Sequence, residues 1–240
     1  MLKTALMLKT LQQTVGQASA VGGPSTVQAL TAGKAIKINT FDQLVPGYAI
    51  FFALFGLNAV AATILQEKED GTFRRLLIAP IQKYALLGGK MLAQFIVTMA
   101  QLSIIFLVGY FVFKVHMHGW LTVSLLLIGT SFAATGLGML LVSLVRTRAQ
   151  ITQVVSLVVL VTSAIGGAWW PLFLEPPWLQ HMAKIGITAW AMEGLNGSMV
   201  LGKGFMDVLP DILGLLAYGL ICHMIALRLF RFQQKTAVVT

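Results

Sequence analysis

Five long apolar stretches constrain this chain more than any other feature of its sequence. They lie at about residues 45–65, 91–113, 120–145, 151–173 and 208–230. A bilayer core about 30 Å thick is crossed by roughly 20 apolar residues of α-helix, so each stretch is long enough to span it. None alternates polar and apolar residues with a period of two, as the strands of a membrane β-barrel do. The sequence therefore predicts an all-α fold, a polytopic membrane helix bundle of five spans.

Charged residues are scarce, and most of them lie between the apolar stretches. They make up 10% of the chain, against about 25% in soluble domains. The formal net charge of +9 would suggest a nucleic-acid partner in a soluble protein. Here the placement of the charges favours orientation in a membrane instead, so no nucleic-acid partner is expected and the partner surface is lipid.

The basic residues between the stretches are unevenly divided between the two predicted sides. Ten lie on one side, namely Lys68, Arg74, Arg75, Lys83, Lys90, Arg146, Arg148, Arg228, Arg231 and Lys235. Five lie near the spans on the other side, namely Lys34, Lys37, Lys114, Lys184 and Lys203. The positive-inside rule makes the first side cytoplasmic. It therefore predicts a multi-pass protein with a cytoplasmic C-terminus and a cytoplasmic tail at 236–240.

This orientation places residues 1–44 on the extracytoplasmic side of the membrane. No clear export signal in the sequence would carry them across it. The apolar part of the first 20 residues is interrupted by Lys9 and Gln12, whereas a cleavable signal needs an uninterrupted apolar region. We therefore expect residues 1–44 to be the extracytoplasmic remnant of a region preceded by a further span. Within it, Gly22–Lys37 is rich in small and polar residues and predicts a loop or the remnant of an outer domain.

No arrangement of side chains predicts catalysis or a resident metal. Cys222 is the one cysteine and lies inside an apolar stretch, which excludes a disulfide framework and a thiolate metal site. His116 and His118 lack a third ligand, and His181 and His223 are isolated. The chain is therefore not expected to be an enzyme or to bind a cofactor directly.

The segment Gln66–Pro80 is the most informative stretch between spans. Acidic residues come first, then Gly71, then Thr72 as a possible N-cap, and Pro80 ends the short helix that follows. On this helix, residues 73, 76 and 77 share an apolar face. Contact with lipid would explain the basic and apolar residues but not three acids facing an anionic leaflet. A cytosolic protein partner is therefore favoured, with an ordinary solvated loop as the alternative.

The same segment resembles the signature of ABC-2 type permeases, the membrane subunits of many bacterial ABC exporters. The matching residues are Glu67, Glu69, Gly71, Thr72, Arg74, Arg75, Leu76, Leu77 and Pro80. Further matches follow in family order, at Val45-Pro46-Gly47, Gly166-Gly167-Ala168-Trp169-Trp170-Pro171-Leu172, Pro176-Pro177-Trp178-Leu179-Gln180 and Ala189-Trp190-Ala191-Met192-Glu193-Gly194. One departure is Gly186-Ile187-Thr188, where relatives commonly have a proline before the Ala-Trp pair. The resemblance covers about residues 40–235. The predicted transmembrane domain comprises residues 45–235.

The resemblance implies six spans per subunit in the bacterial cytoplasmic membrane and a pathway formed by two permease subunits, as a homodimer or heterodimer. ATP and Mg would be bound by a separate P-loop ATP-binding subunit. In agreement, this sequence has no Gly-x4-Gly-Lys-Ser/Thr motif, and Gly88-Gly89-Lys90 is the nearest approach. The expected ATPase-coupling residues are Glu67, Glu69, Gly71, Thr72, Phe73, Arg74, Arg75, Leu76 and Pro80.

The segment from Leu174 to Asp207 is too apolar for a simple outer loop and resembles the short re-entrant helices at the outer end of related pathways. Non-helical backbone at that depth must be covered by protein or face a cavity. Glu193 is the sharpest candidate there, since an acid in apolar surroundings is costly and often functional. It could pair with Lys184, cap a helix or meet cargo. The candidate pathway residues are Trp169, Trp170, Trp190 and Glu193.

The leading hypothesis is thus a permease subunit of an ATP-driven exporter, with its cargo undetermined and mildly favoured to be hydrophobic or amphipathic. The alternative is a truncated or non-transporting membrane scaffold. A membrane-embedded enzyme is disfavoured, because the spans lack polar clusters.

Overall fold

The computed structural model describes residues 26–31, 34–69, 83–145 and 147–236. The chain divides into two compact units, residues 1–40 and 41–240. In the first unit, strands β1 (Thr26–Thr31) and β2 (Lys34–Asn39) pair in antiparallel register, from Thr26 with Asn39 to Thr31 with Lys34. The loop alternative for Gly22–Lys37 is therefore wrong where these strands form. The alternation of Ile36 and Ile38 with polar neighbours explains the second strand.

The second unit is an all-α bundle, as predicted. Its helices are α1 (Thr40–Phe55), α2 (Leu57–Glu69), α3 (Lys83–Phe111), α4 (Trp120–Leu144), α5 (Arg148–Ile165), α6 (Pro177–Ala183), α7 (Ile187–Met199) and α8 (Phe205–Thr236), with a 3₁₀ turn at Leu172–Leu174. We call the end of the bundle that carries Glu67 and Lys90 the loop end, and the end that carries Trp120 and Trp170 the tryptophan end.

Four helical runs in the described residues are long and apolar enough to cross a membrane: Phe41–Glu67, Leu87–Phe111, Trp120–Leu144 and Phe205–Leu229. They correspond to the predicted spans at 45–65, 91–113, 120–145 and 208–230. The first run combines α1 and α2, which join at Gly56. The helix α8 extends to Thr236, and 237–240 of the predicted tail lie outside the described residues.

The predicted span at 151–173 is wrong in its last third, residues 166–173. The helix α5 ends at Ile165, which leaves the shorter apolar helix Ala149–Ile165. The apolar composition continues, but Gly167 has a φ of 80° and the Gly166 N–H closes the helix on the Thr162 carbonyl at 2.8 Å. A Cβ at Gly166 would lie 2.5 Å from Thr188 Cβ, so the chain bends where α5 approaches α7. Backbone geometry, rather than hydropathy, sets this end.

The helix α4 lies at the centre of the bundle and packs against α8, α3, α7 and α2. Small residues make the contact with α8 possible: a Cβ at Gly136 would lie 2.8 Å from the Gly219 carbonyl oxygen, and one at Gly219 would lie 2.6 Å from the Phe132 ring. These small residues therefore serve close helix packing. The segment from Leu174 to Asp207, which was expected to contain short re-entrant helices, includes α6 and the largely buried α7.

We expect Gly136→Ala to destabilise the bundle. The added Cβ would lie 2.5 Å from His223 Nδ1 and 2.8 Å from the Gly219 carbonyl oxygen, and overpacking of this kind costs about 1–3 kcal/mol. Thermal unfolding in detergent measures the effect. Gly88→Ala is the matched control: a Cβ there meets no neighbouring atom within 4 Å, and removing a helical glycine stabilises by about 0.5–1 kcal/mol. Equal unfolding temperatures for the two variants would contradict this packing.

Candidate functional site

An ion pair between Glu67 and Lys90 lies at the loop end of the bundle. Lys90 Nζ donates to Glu67 Oε2, and both side chains are partly buried. Glu67 lies near the end of α2 and Lys90 near the beginning of α3. The pair therefore connects the helix that precedes residues 70–82 to the helix that follows them.

Most of the predicted coupling residues cannot be placed on this geometry. The backbone of Glu69 belongs to α2, and nothing is described of its side chain. The remaining positions lie outside the described residues, namely Gly71, Thr72, Phe73, Arg74, Arg75, Leu76 and Pro80. Their role toward an ATPase stays a prediction, as does the short helix between Thr72 and Pro80.

A small cavity lies next to the Glu67–Lys90 pair, among α2, α3 and α4. It is lined by Leu57, Ala61, Ile64, Lys90, Met91, Gln94, Thr135, Gly138, Met139 and Val142. Its volume is about 20 Å³, which accommodates about one water molecule. We call it the inner cavity. Its walls are mostly apolar, with Gln94 and Thr135 as the uncharged polar residues.

Gln94 is a residue that the sequence reasoning missed. It is 6% exposed, and its Nε2 donates to Thr98 Oγ1 at 2.8 Å. Among the described residues, its Oε1 has no hydrogen-bond partner, and an unmet buried acceptor costs about 1–3 kcal/mol. The signal was present in the sequence, since Gln94 is an amide inside the apolar stretch 91–113.

At the tryptophan end, Trp170 is tied to a buried acid. Trp170 Nε1 donates to Glu175 Oε1 at 2.7 Å, and Gln180 Nε2 donates to the Glu175 carbonyl oxygen at 2.7 Å. Trp169 stacks edge-on with Trp170 at 6.0 Å and with Phe51 at 5.8 Å between ring centroids. Glu175 itself is 7% exposed. These contacts shape the irregular segment between α5 and α6.

The other two predicted pathway residues, Trp190 and Glu193, both contact Lys184. Lys184 Nζ lies 3.2 Å from Glu193 Oε2 and 5.1 Å from the centroid of the Trp190 ring. Trp190 Nε1 donates to the Lys184 carbonyl oxygen at 2.8 Å. The pairing with Lys184, one of the alternatives for Glu193, is thus present in the structure. The four candidate residues form two groups, each with its own partners, and their role toward cargo stays a prediction.

Besides Glu175, two further buried acids were not singled out from the sequence. Asp211 of α8 is 9% exposed, its Cβ would lie 3.2 Å from a Cβ at Gly194, and it interacts electrostatically with Glu193, Lys184 and Lys203. Asp42 is 3% exposed, and its Oδ1 accepts from the His116 N–H at 3.0 Å. Asp211 carried the same signal as Glu193, an acid in an apolar stretch.

The histidines do not form a metal site in the part of the chain that the structure describes, where no three potential ligands cluster. His116 pairs with Asp42, and His118 Nδ1 lies 3.3 Å from the Met199 carbonyl oxygen. His223 stacks on Phe132. All three therefore have structural contacts.

We expect Trp170→Phe to destabilise the tryptophan end. Phenylalanine keeps an aromatic ring but removes the donor to Glu175 Oε1, and leaving a buried acceptor unmet costs about 1–3 kcal/mol. Trp178→Phe is the control, because Trp178 is 63% exposed and surface substitutions usually stay within about 0.5 kcal/mol. Thermal unfolding of the purified variants in detergent measures both. If both variants unfold at the same temperature as the parent chain, the hydrogen bond between Trp170 and Glu175 contributes nothing to stability.

Comparisons of the sequence with known proteins match the chain to one family. The family model described as ABC-2 family transporter protein matches residues 2–228. The linearmycin resistance permease protein LnrN of Bacillus subtilis (strain 168) is 28% identical over 77% of this chain and 48% of its own length. The inner membrane transport permease YhhJ of Escherichia coli (strain K12) is 27% identical over 74% and 48%.

A third relative, the probable multidrug ABC transporter permease YbhR of Escherichia coli (strain K12), is 25% identical over 59% of this chain and 39% of its own length. The chain thus spans about half the length or less of these curated relatives. No solved structure matches it significantly. With its helical bundle and a family match over nearly its whole length, the chain belongs to the ABC-2 family of transporter proteins and is a multi-pass membrane protein.

Proposed function

We propose that this chain is a permease subunit of an ATP-driven exporter in the bacterial cytoplasmic membrane. The observation that carries the proposal is the family match over residues 2–228, on a bundle with four membrane-spanning candidates. A second permease subunit would complete the pathway. ATP and Mg would be bound by a separate subunit, since this sequence has no P-loop motif.

The segment 66–80 is the proposed docking site for that ATP-binding subunit. Its charges are of both signs, with Glu67 and Glu69 before Arg74 and Arg75, which suits a complementary protein surface. The Glu67–Lys90 pair supports this assignment indirectly. Because it connects α2 to α3, a force applied between these helices would act on both at once.

The direction of transport and the class of cargo are further parts of the proposal. Two relatives are named for resistance to linearmycin and for probable multidrug transport, which supports export. The mostly apolar spans favour hydrophobic or amphipathic cargo. The excess of basic residues at the loop end supports a cytoplasmic placement of that end. Trp169, Trp170, Trp190 and Glu193 would then border the outer part of the pathway, with Lys184 and Glu193 bracing α7.

We expect a P-loop ATPase to copurify with the C-terminally tagged chain from native membranes in mild detergent. The double variant Glu69→Lys, Arg75→Glu should reduce its recovery at least tenfold, since loss of complementary charges at an interface costs several kcal/mol. Mass spectrometry of the eluate identifies and quantifies the partner. Lys114→Glu is the control: it also reverses a charge, but on an exposed residue at the tryptophan end.

Two results would count against this assignment. Undiminished recovery with the loop variant would remove segment 66–80 as the docking site. Recovery of the ATPase without ATP-dependent movement of any cargo in reconstituted vesicles would favour the alternative, a membrane scaffold that assembles but does not transport.

A further inference from the structure

The inner cavity lies between α2 and α3, toward the loop end of the bundle. Toward the tryptophan end, α1 touches α3, because a Cβ at Gly109 would lie 2.6 Å from Val45 Cγ1. Toward the loop end, α2 packs on α5 and α4, and α3 packs on α4. The cavity occupies the space between α2 and α3, over α4. Glu67 and Lys90 connect the two helices at its end.

The polar groups of the inner cavity include one buried acceptor without a hydrogen-bond partner among the described residues. Gln94 Oε1 is buried and has no partner among the described residues, while its Nε2 donates to Thr98. The Thr135 hydroxyl donates to the Ser131 carbonyl oxygen at 2.8 Å, which leaves only its lone pairs available. Lys90 is the cation of the lining, and Glu67 neutralises it. A ligand group with a hydrogen to donate would satisfy Gln94 Oε1, whereas an anion or a pure acceptor would leave it unmet.

We propose that the inner cavity binds the uncharged, hydrogen-bond-donating head group of an amphipathic molecule, with Gln94 Oε1 as the acceptor that recognises it. This inference rests on the proposed transport of amphipathic cargo and specifies the head group. The volume of about 20 Å³ matches one hydroxyl group, which occupies about as much space as a water molecule. Leu57, Ile64 and Met139 supply the apolar part of the lining around that hydroxyl group.

The test compares two probes that differ in one donor. 1-Dodecanol carries a hydroxyl hydrogen, whereas 1-methoxydodecane has the same chain and an ether oxygen without one. A thiol is placed in the cavity wall by Met91→Cys in a chain with Cys222→Ser, reconstituted in lipid nanodiscs. Met91 lines the cavity and is partly exposed, so a small thiol reagent, methyl methanethiosulfonate, reaches it. Protection of the thiol from this reagent reports occupancy.

The concentration of each probe is expressed relative to the lipid. On that scale, half-protection by dodecanol should need a concentration roughly fivefold lower than half-protection by methoxydodecane, the equivalent of one neutral hydrogen bond. Gln94→Met should abolish the difference, because it keeps the side-chain length and removes the acceptor. Gln94→Glu, which keeps an acceptor oxygen, should preserve the preference for dodecanol. Leu92→Cys is the matched control: it is the adjacent residue, is 59% exposed and is not part of the lining, so neither probe should discriminate there.

Equal protection by the two probes in the chain with Gln94 intact would overturn the inference and leave Gln94 Oε1 to a single bound water. A preference that survives Gln94→Met would overturn it as well, provided that the variant unfolds at the parent temperature. If that variant does not fold, loss of the preference in a folded Gln94→Glu chain has the same consequence. The assay contains no ATPase, so these outcomes leave the proposed function standing.

Discussion

The close approach of α4 and α8 is the contact on which the bundle depends. In lipid, helices gain little from excluding water, so their association rests on van der Waals packing and satisfied polar groups. Gly136 and Gly219 lack side chains where α4 and α8 would otherwise collide, at His223 and at Phe132. The remaining surface of α4 contacts α3, α7, α2 and α5. Most residues of α4 are buried as a result, and four of them line the inner cavity.

The sequence predicted four spans whose length the bilayer requires, but it did not predict the helix ends that close packing determines. Spans at 45–65, 91–113, 120–145 and 208–230 follow from hydropathy because a bilayer demands a minimum length of apolar helix. The end of α5 at Ile165 does not follow from hydropathy, since residues 166–173 are also mostly apolar. It depends on a glycine with positive φ and on contact between Gly166 and Thr188, residues 22 positions apart. The break between α1 and α2 at Gly56 also lies within one apolar run, so hydropathy does not predict it.

The candidate sites show a similar division. An isolated polar residue in an apolar stretch can be seen in the sequence, as Glu193 was, and Gln94 and Asp211 carried the same signal. The partner of such a residue is harder to predict. Lys184 was one of three alternatives for Glu193, and Lys90 as the partner of Glu67 was not foreseen, because helix packing brings them together across 23 positions. The carboxylate of Glu67 therefore already has a partner within the chain, so any contact it makes with an ATPase would be shared with Lys90.

The distribution of charge bears on what a pathway through this bundle could select. Removing an ion from water is costly unless a counter-ion and hydrogen bonds replace the lost hydration. Glu67 is paired with Lys90 at the loop end, Glu193 with Lys184 at the tryptophan end, and Asp211 interacts with Lys184 and Lys203. Between these paired charges, the inner cavity offers uncharged acceptors, Gln94 Oε1 and the Thr135 hydroxyl, to a passing molecule. A cavity of this kind favours a molecule that donates a hydrogen to Gln94 Oε1 and whose apolar part fits the lining, because an unmet buried acceptor costs free energy.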